Sequence, residues 1–189
     1  MKRILVTGGA GFISSNMIRY LLRNTEHQVV TMDALTYAGN LANLADVLKH
    51  DRLRFIEGDI RNPLEVADAL DGIDVIVNAA AESHVSKSIE QGGGEFVTTN
   101  VEGTQVLLDA MREHPIERFV PIPSPEVYGP AESAPRPAEH PHTTPPPPGP
   151  PGAPGAPSPV RISEPPPAAT NGPQHPDMAH VVRSVVADD

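Results

Sequence analysis

Gly8, Gly9 and Gly11 lie in the run Val6-Thr7-Gly8-Gly9-Ala10-Gly11-Phe12-Ile13, directly after the apolar residues Ile4-Leu5-Val6 and directly before a stretch of helical periodicity. Glycines at 8 and 11 let the chain reverse tightly, so that backbone N–H groups reach a pyrophosphate seated on the positive end of the next helix. Asp33 closes the run Gln28-Val29-Val30-Thr31-Met32. An acidic residue about 20 positions beyond such glycines is placed to accept hydrogen bonds from the diol of an adenosine ribose. Asp59-Ile60 comes after Glu57-Gly58, where the carboxylate could accept from an adenine amino group while the isoleucine covers the ring; the same Asp could instead cap the next helix. Ala79-Ala80-Ala81 is small enough for a ligand to lie against the backbone. Glu82-Ser83-His84 then places three polar side chains at a strand mouth, as a binding rim or as ordinary loop polarity.

These groups need elements to hold them. Ile13, Met17 and Leu21 recur at helical spacing after the turn, and apolar runs predict strands over 29–32, 53–57, 75–79 and 118–122 besides the first one. Helices are predicted over 64–70 and 101–112, the second with Val101, Thr104, Leu108 and Met111 along one face. Strand and helix alternating in this way imply a parallel sheet with helices on both faces, and a ligand at the carboxyl ends of the strands.

Composition changes sharply at Pro121. Of 23 prolines only Pro63 and Pro115 precede it, Leu108 is the last leucine, Lys87 the last lysine and Tyr128 the last aromatic residue. The remainder of the chain lacks the apolar surface that offsets chain ordering, so the expected division is a folded domain over 1–129 and a Pro/Ala/Gly-rich, largely disordered tail over 130–189. Pro145-Pro146-Pro147-Pro148 favours extended polyproline geometry, and a proline-rich ligand for an SH3-like partner is the functional alternative. A net charge of −10 argues against nucleic acid or an anionic membrane as partner. The absence of cysteine excludes disulfides, a thiolate nucleophile and cysteine-ligated metal, and fits a reducing cytoplasm. The chain opens on a strand and not on a signal peptide, and no apolar run approaches the ~20 residues of a membrane helix. His140 and His142, an i, i+2 pair among prolines, are expected to be solvated, so no metal is expected.

Thr7-Gly8-Gly9-Ala10-Gly11-Phe12-Ile13, Asp33-Ala34-Leu35-Thr36-Tyr37-Ala38-Gly39-Asn40, Gly58-Asp59-Ile60, Ala80-Ala81-Glu82-Ser83-His84-Val85, Thr99-Asn100-Val101-Glu102-Gly103-Thr104 and Glu126-Val127-Tyr128-Gly129 together resemble the dTDP-glucose 4,6-dehydratases, extended short-chain dehydrogenases/reductases. The glycine turn marks only the superfamily; the Leu-Thr-Tyr-Ala-Gly-Asn and Ala-Glu-Ser-His-Val blocks mark nucleotide-sugar dehydratases. The resemblance implies an α/β fold with a Rossmann-like doubly wound parallel sheet, NAD as cofactor, dTDP-glucose as substrate, and pairing into a homodimer through helices at the sheet edge, for which the 101–112 helix is a candidate. By position it assigns to NAD Gly8, Gly11, Phe12, Ile13, Asp33, Ala34, Leu35, Thr36, Asp59, Ile60, Ala79, Ala80, Ala81, Glu82, Ser83 and Thr99. It assigns Ser83 and Ser124 to the substrate and makes Glu126 the elimination base. In such enzymes a tyrosine of a Tyr-x-x-x-Lys pair takes a proton as hydride leaves the sugar C4 for NAD. An Asp and Glu pair then eliminates water across C5 and C6, and hydride returns to C6.

The chain departs from that pattern at several positions. Ser14 fills the third glycine slot of the turn, where close helix–strand packing favours glycine, and weakened cofactor binding is expected. Ser86 and Lys87 replace an Asp and an Arg. Where the family reads Gln-Val-Ser-Thr-Asp-Glu-Val-Tyr-Gly, this chain has Pro121-Ile122-Pro123-Ser124-Pro125-Glu126-Val127-Tyr128-Gly129. Prolines cannot donate to a ladder, so pairing of the fifth strand is expected to end at Pro121. Pro125 takes the place of the acid aspartate and has no proton to give. No tyrosine follows Tyr128 and no lysine follows Lys87, so the Tyr-x-x-x-Lys pair is missing; an alignment through Glu139-His140-Pro141 puts its slots at Pro148 and Gly152. Two readings remain open: a dehydratase whose sequence runs out of frame from Pro121, or a half-domain that holds NAD without turnover and carries a flexible partner-binding tail.

Overall fold

A computed structural model describes residues 1–84 and 93–122. Five strands, β1 (Arg3–Thr7), β2 (Gln28–Asp33), β3 (Leu53–Glu57), β4 (Val75–Asn78) and β5 (Arg118–Pro121), form one parallel sheet in the order β3-β2-β1-β4-β5. Helix α1 (Phe12–Asn24) joins β1 to β2, α2 (Pro63–Ala69) joins β3 to β4, and α3 (Gly94–Phe96) runs through a π-helical segment, Val97–Gly103, into α4 (Thr104–Ala110). This is the doubly wound architecture expected from the alternating pattern.

The sheet is apolar on both faces because successive side chains of a strand point opposite ways. Ile4, Val6, Val29, Val75 and Val77 face α1, where Met17, Ile18, Leu21 and Leu22 pack with Leu44 and Val47. Leu5, Val30, Met32 and Ile76 face the other side, against Val66, Ala69, Leu70 and Leu107 of α2 and α4. Right-handed crossovers account for this division: the chain winds from β1 out to β3 with α1 on one face, then returns past β1 to β4 and β5 with its helices on the opposite face. The reversal leaves a crevice above the carboxyl end of β1, the place where open sheets of this kind take ligands.

One expectation needs correction. The 101–112 helix does not bury Val101, Thr104, Leu108 and Met111 as one face: Val101 is 62% and Leu108 41% exposed, while Gly103 and Leu107 are buried, with Val106, Ala110 and Met111 packed beside them. Val101 lies in the π segment, whose i→i+5 winding departs from the 3.6-residue period, and beyond it the regular helix turns inward the neighbouring stripe of Leu107, Ala110 and Met111. Pairing of β5 ends at Pro121, as expected, with Pro121 in register with Asn78 and a last bond from the Ile122 N–H to the Asn78 carbonyl at 2.9 Å, but the proline's missing donor is not what ends it. Backbone N–H groups alternate along a strand, so with Ile122 donating toward β4 the Pro121 nitrogen points to the outer edge, where a missing donor costs the ladder nothing.

Among the described residues, no helix is long and apolar enough to cross a membrane, and no group of three or more His, Asp or Glu side chains is placed to hold a metal ion.

The C-terminal end of α1 is closed from a distance by Arg52, whose guanidinium donates to the carbonyls of Leu22 (2.5 Å), Thr25 (2.6 Å) and His27 (3.0 Å). A cation on the negative end of a helix serves both its dipole and its orphan carbonyls. Arg52→Ala should therefore destabilise the fold by about 1–3 kcal/mol. A lower urea midpoint at unchanged slope checks this, and an unchanged midpoint contradicts it.

Candidate functional site

The turn after β1 is built from backbone constraints. Gly8 has φ +69° and donates its N–H to the Met32 carbonyl at 2.8 Å, and Gly11 donates back to the Gly8 carbonyl at 3.1 Å. A Cβ at Gly8 would lie 2.9 Å from the Ala80 Cα, and one at Gly9 only 1.6 Å from Thr31 Oγ1. Gly9, which spacing alone does not single out, thus has no room for a side chain either. Ala10 is held on both sides: its N–H donates to Asp33 Oδ2 at 2.8 Å, and its carbonyl accepts from the Asn40 N–H (3.1 Å) and Asn43 Nδ2 (2.8 Å).

Helix α1 starts at this turn with Gly11 as its N-cap, no side-chain cap and no acidic residue in its first turn. Its first N–H groups and the positive end of its dipole are thereby left to whatever anion occupies the crevice. Phe12 is 82% exposed and Ile13 is also exposed, whereas Ser14, in the third glycine slot, is buried. The turn therefore accommodates the serine without opening that position to solvent.

Asp33 ends β2 and is 8% exposed. Besides holding Ala10 through Oδ2, it accepts from the Leu35 N–H through Oδ1 at 2.8 Å, so each oxygen retains acceptor capacity for a hydroxyl. Leu35 has φ +50°, left-handed geometry that a leucine adopts only under constraint. A Cβ at Gly39 would come within 2.5 Å of Asp33 Oδ1, which explains a glycine where the 34–40 loop folds over the carboxylate. Ala34 and Thr36 are exposed and Leu35 is half-buried.

At the end of β3, Asp59 does not cap α2. Asn62 caps α2, accepting from the Leu64 N–H, and Glu65 receives the Asp59 N–H at 2.7 Å. The Asp59 carboxylate is instead bound by Arg61 through Nε (2.9 and 3.0 Å) and Nη2 (2.5 Å), which holds it below the usual carboxylate range and raises the guanidinium above its own. Ile60 is 4% exposed and lies under Gly103, so its side chain is committed to the core.

The β4 end is tied to the glycine turn by one hydroxyl. Thr7 Oγ1 donates to Asn78 Oδ1 at 2.6 Å and accepts from the N–H groups of Ala79 and Ala80, both at 3.1 Å. Asn78 Nδ2 reaches Thr104 Oγ1 at 3.3 Å. Ala79 and Ala80 are half-buried, Ala81, Ser83 and His84 are exposed, and Glu82 is buried. The His84 ring meets Tyr37 edge-on at 6.0 Å, bringing the 34–40 and 79–84 loops together. Thr99 is half-buried on the π segment. Ser86, Lys87, Pro123, Ser124, Pro125, Glu126 and the tail from 130 onward lie outside the described residues.

The structure thus gathers the glycine turn, Asp33 with the 34–40 loop and the 79–84 loop around one crevice. Thr7, Gly9, Asn40, Asn43 and Asn100, which position these parts, are not apparent from spacing. Thr7, Gly9, Asn40 and Asn100 do lie within the blocks that carry the resemblance, and Thr7 also stands out as a threonine ending an otherwise apolar strand; Asn43 carries neither signal.

The model of the NAD dependent epimerase/dehydratase family matches residues 4–154. The low-salt glycan biosynthesis protein Agl12 of Haloferax volcanii is 60% identical over 127 residues, 67% of this chain and 40% of that protein. The dTDP-glucose 4,6-dehydratase of Streptomyces niveus is 49% identical over 132 residues, 67% of this chain and 39% of the enzyme. Among solved structures, DesIV, the dTDP-glucose 4,6-dehydratase of Streptomyces venezuelae with NAD bound, superposes with a TM-score of 0.66 at 48% identity, covering 70% of this chain and 42% of DesIV. The chain spans about two-fifths of the length of these relatives. With a family model matched over most of its length and a fold shared with a solved dehydratase, the chain belongs to the NAD dependent epimerase/dehydratase family.

Proposed function

We propose that the described residues form the NAD-holding part of a dTDP-glucose 4,6-dehydratase, within an NAD-binding domain over 1–129 followed by a Pro-rich tail over 130–189. The observation that carries this reading is the Ala10 peptide pinned between Asp33 and the two asparagines beside an uncapped helix start. A cradle in which a Cβ at Gly8 would strike the Ala80 backbone, with free acceptor capacity on Asp33, fits a dinucleotide diphosphate and its adenosine ribose.

NAD, when bound, supplies a two-electron hydride acceptor. The chain's share is orientation. Gly8, Gly11, Phe12 and Ile13 receive the diphosphate; Asp33, Ala34, Leu35 and Thr36 the adenosine ribose; Asp59 and Ile60 the neighbourhood of the adenine; Ala79 to Ser83 and Thr99 the far half. Asp59 reaches the adenine amino group only by sharing a carboxylate already bound to Arg61. Ser83, exposed at the β4 mouth, and Ser124 would meet the sugar nucleotide, with Glu126 as elimination base. The dehydratase relatives support dTDP-glucose as substrate, and the Haloferax relative supports glycan assembly as the destination of the product. The exposed Val97, Val101 and Leu108 support a homodimer formed through their helix.

NAD should bind in preference to NADP, because Asp33 accepts from a ribose diol and repels a 2′-phosphate. Parallel titrations check this, and equal or tighter NADP binding rejects the role of Asp33. Asp33→Ala should weaken NAD by about 1–3 kcal/mol. This chain should form no detectable 4-keto-6-deoxy product from dTDP-glucose, since losing a general base alone typically costs about 10²–10⁴-fold and Pro125 removes the elimination acid as well. Product formed by the unaltered chain would overturn the assigned roles. A chimera in which residues 1–120 replace the matching segment of an active dehydratase should turn over, because every group assigned to NAD lies within that segment. A folded but inactive chimera would count against the segment's competence.

A further inference from the structure

Arg61 directs three N–H groups at one carboxylate. Its backbone N–H donates to Asp59 Oδ1 at 2.9 Å, Nε lies 3.0 Å from Oδ1 and 2.9 Å from Oδ2, and Nη2 donates to Oδ2 at 2.5 Å. An ionised carboxylate has about four acceptor sites, so one is left for a ligand. The backbone of this turn is held by other groups: the Gly58 N–H donates to the Asp33 carbonyl at 3.0 Å, the Asp59 N–H donates to Glu65, and the Ile60 side chain lies under Gly103. What Arg61 sets is the plane of the carboxylate. Both side chains are partly exposed, Asp59 by 28% and Arg61 by 43%, so the pair adds little to stability, whereas a guanidinium fork on two oxygens fixes their orientation.

Sheet order determines which part of a dinucleotide this carboxylate would meet. Asp33 ends β2, and Asp59 follows β3, one strand further from the glycine turn. A dinucleotide whose ribose diol meets Asp33 therefore has its purine toward Asp59. Adenine carries an amino donor at C6. Hypoxanthine carries a carbonyl there and an N–H at the adjacent N1. A carboxylate fixed on the amino position meets the hypoxanthine carbonyl with lone pair against lone pair, but a carboxylate free to turn can accept from N1–H instead and so distinguishes the two bases poorly.

We propose that Arg61 is a positioning residue for base selection: by holding the Asp59 carboxylate in one orientation, it makes the site choose a 6-amino purine over a 6-oxo purine. The proposal rests on the reading of the crevice as an NAD site. Without the guanidinium the carboxylate spends only part of its time in the selective orientation, and the preference between the bases falls accordingly. Affinity for the rest of the dinucleotide is untouched, because diphosphate and riboses are received by other groups.

The test titrates the full chain, Arg61→Ala and Arg61→Lys with NAD and with nicotinamide hypoxanthine dinucleotide. The unaltered chain should prefer NAD by about tenfold. In both variants the preference should fall to about twofold or less, through weaker NAD binding alone; the lysine does not rescue it, because an ammonium is a point charge and cannot span both oxygens. A preference unchanged in Arg61→Ala overturns the proposal, and one retained by Arg61→Lys overturns the role of the fork, charge alone then being enough. Glu82 and Glu95 also attract the guanidinium, so a general loosening of the crevice would weaken both dinucleotides alike, and that result overturns the proposal too. Should Arg61→Ala not fold, Arg61→Lys decides by the same readout. Equal binding of the two dinucleotides by the unaltered chain overturns the proposal while the NAD reading stands; binding of neither means that the NAD reading itself fails and the proposal falls with it.

Discussion

The Ala10 peptide is the point on which the site depends. Its N–H is spent on a carboxylate that ends the neighbouring strand, and its carbonyl on two asparagines from the segment beyond that strand, at the close of the 34–40 loop and just past it. A glycine turn has little stiffness of its own, because glycine loses more conformational freedom on folding than any other residue. Tying its middle peptide to three groups on another segment converts it into a fixed cradle. Asp33 thus has two tasks, one internal and one toward a ligand, and its two oxygens have room for both.

Strain and burial elsewhere are consequences of this arrangement. Leu35 sits at φ +50°, a conformation that costs an ordinary residue about 1–2 kcal/mol, and in exchange its N–H faces the second Asp33 oxygen. Thr31 uses its hydroxyl on the Val6 carbonyl at 2.8 Å and leaves Gly9 no space for a side chain. Thr7 does the same for the other flank, joining the ends of β1 and β4 and the start of the alanine loop through one oxygen. Each of these two buried hydroxyls at the crevice floor is satisfied within the protein, as polar groups removed from water must be. The crevice offers outward chiefly backbone N–H groups at the start of α1 and spare acceptor capacity on Asp33.

Much of the fold is legible in the amino-acid sequence because its signals are local. The β1–turn–α1–β2 unit has a strand, glycines, a helical period and a closing Asp within the first 33 residues, and the limits of β3 are those its apolar run predicts. The features that escape a reading of the sequence depend on contacts between distant residues or on departures from regular winding. Asn62 and not Asp59 caps α2, because Arg61 engages the carboxylate and the shorter path falls to the asparagine next to Pro63. The buried face of the 101–112 helix is the stripe beside the expected one, carried by Leu107 and not Leu108, and Val101 falls in a π segment outside the regular period. Pro121 is a residue expected to break a strand, yet its position on the outer edge makes the missing donor harmless. The Asn100 side chain bonds both the N–H and the carbonyl of Glu82, joining the π segment to the loop after β4 across 18 residues, and no spacing rule points to it.

Amide chemical shifts of the isotope-labelled chain, followed during NAD titration, test most directly whether one crevice, floored by the pinned glycine turn, holds a dinucleotide along the carboxyl ends of β2, β1 and β4. Saturable shifts are expected at Gly8–Ile13, at Ala34–Thr36 and at Ala79–Ser83, with the amino ends of the same strands unmoved. Shifts absent from Gly8–Ile13, or concentrated around Lys2, Gln28 and Asp74 at the opposite end of the sheet, would contradict such a crevice.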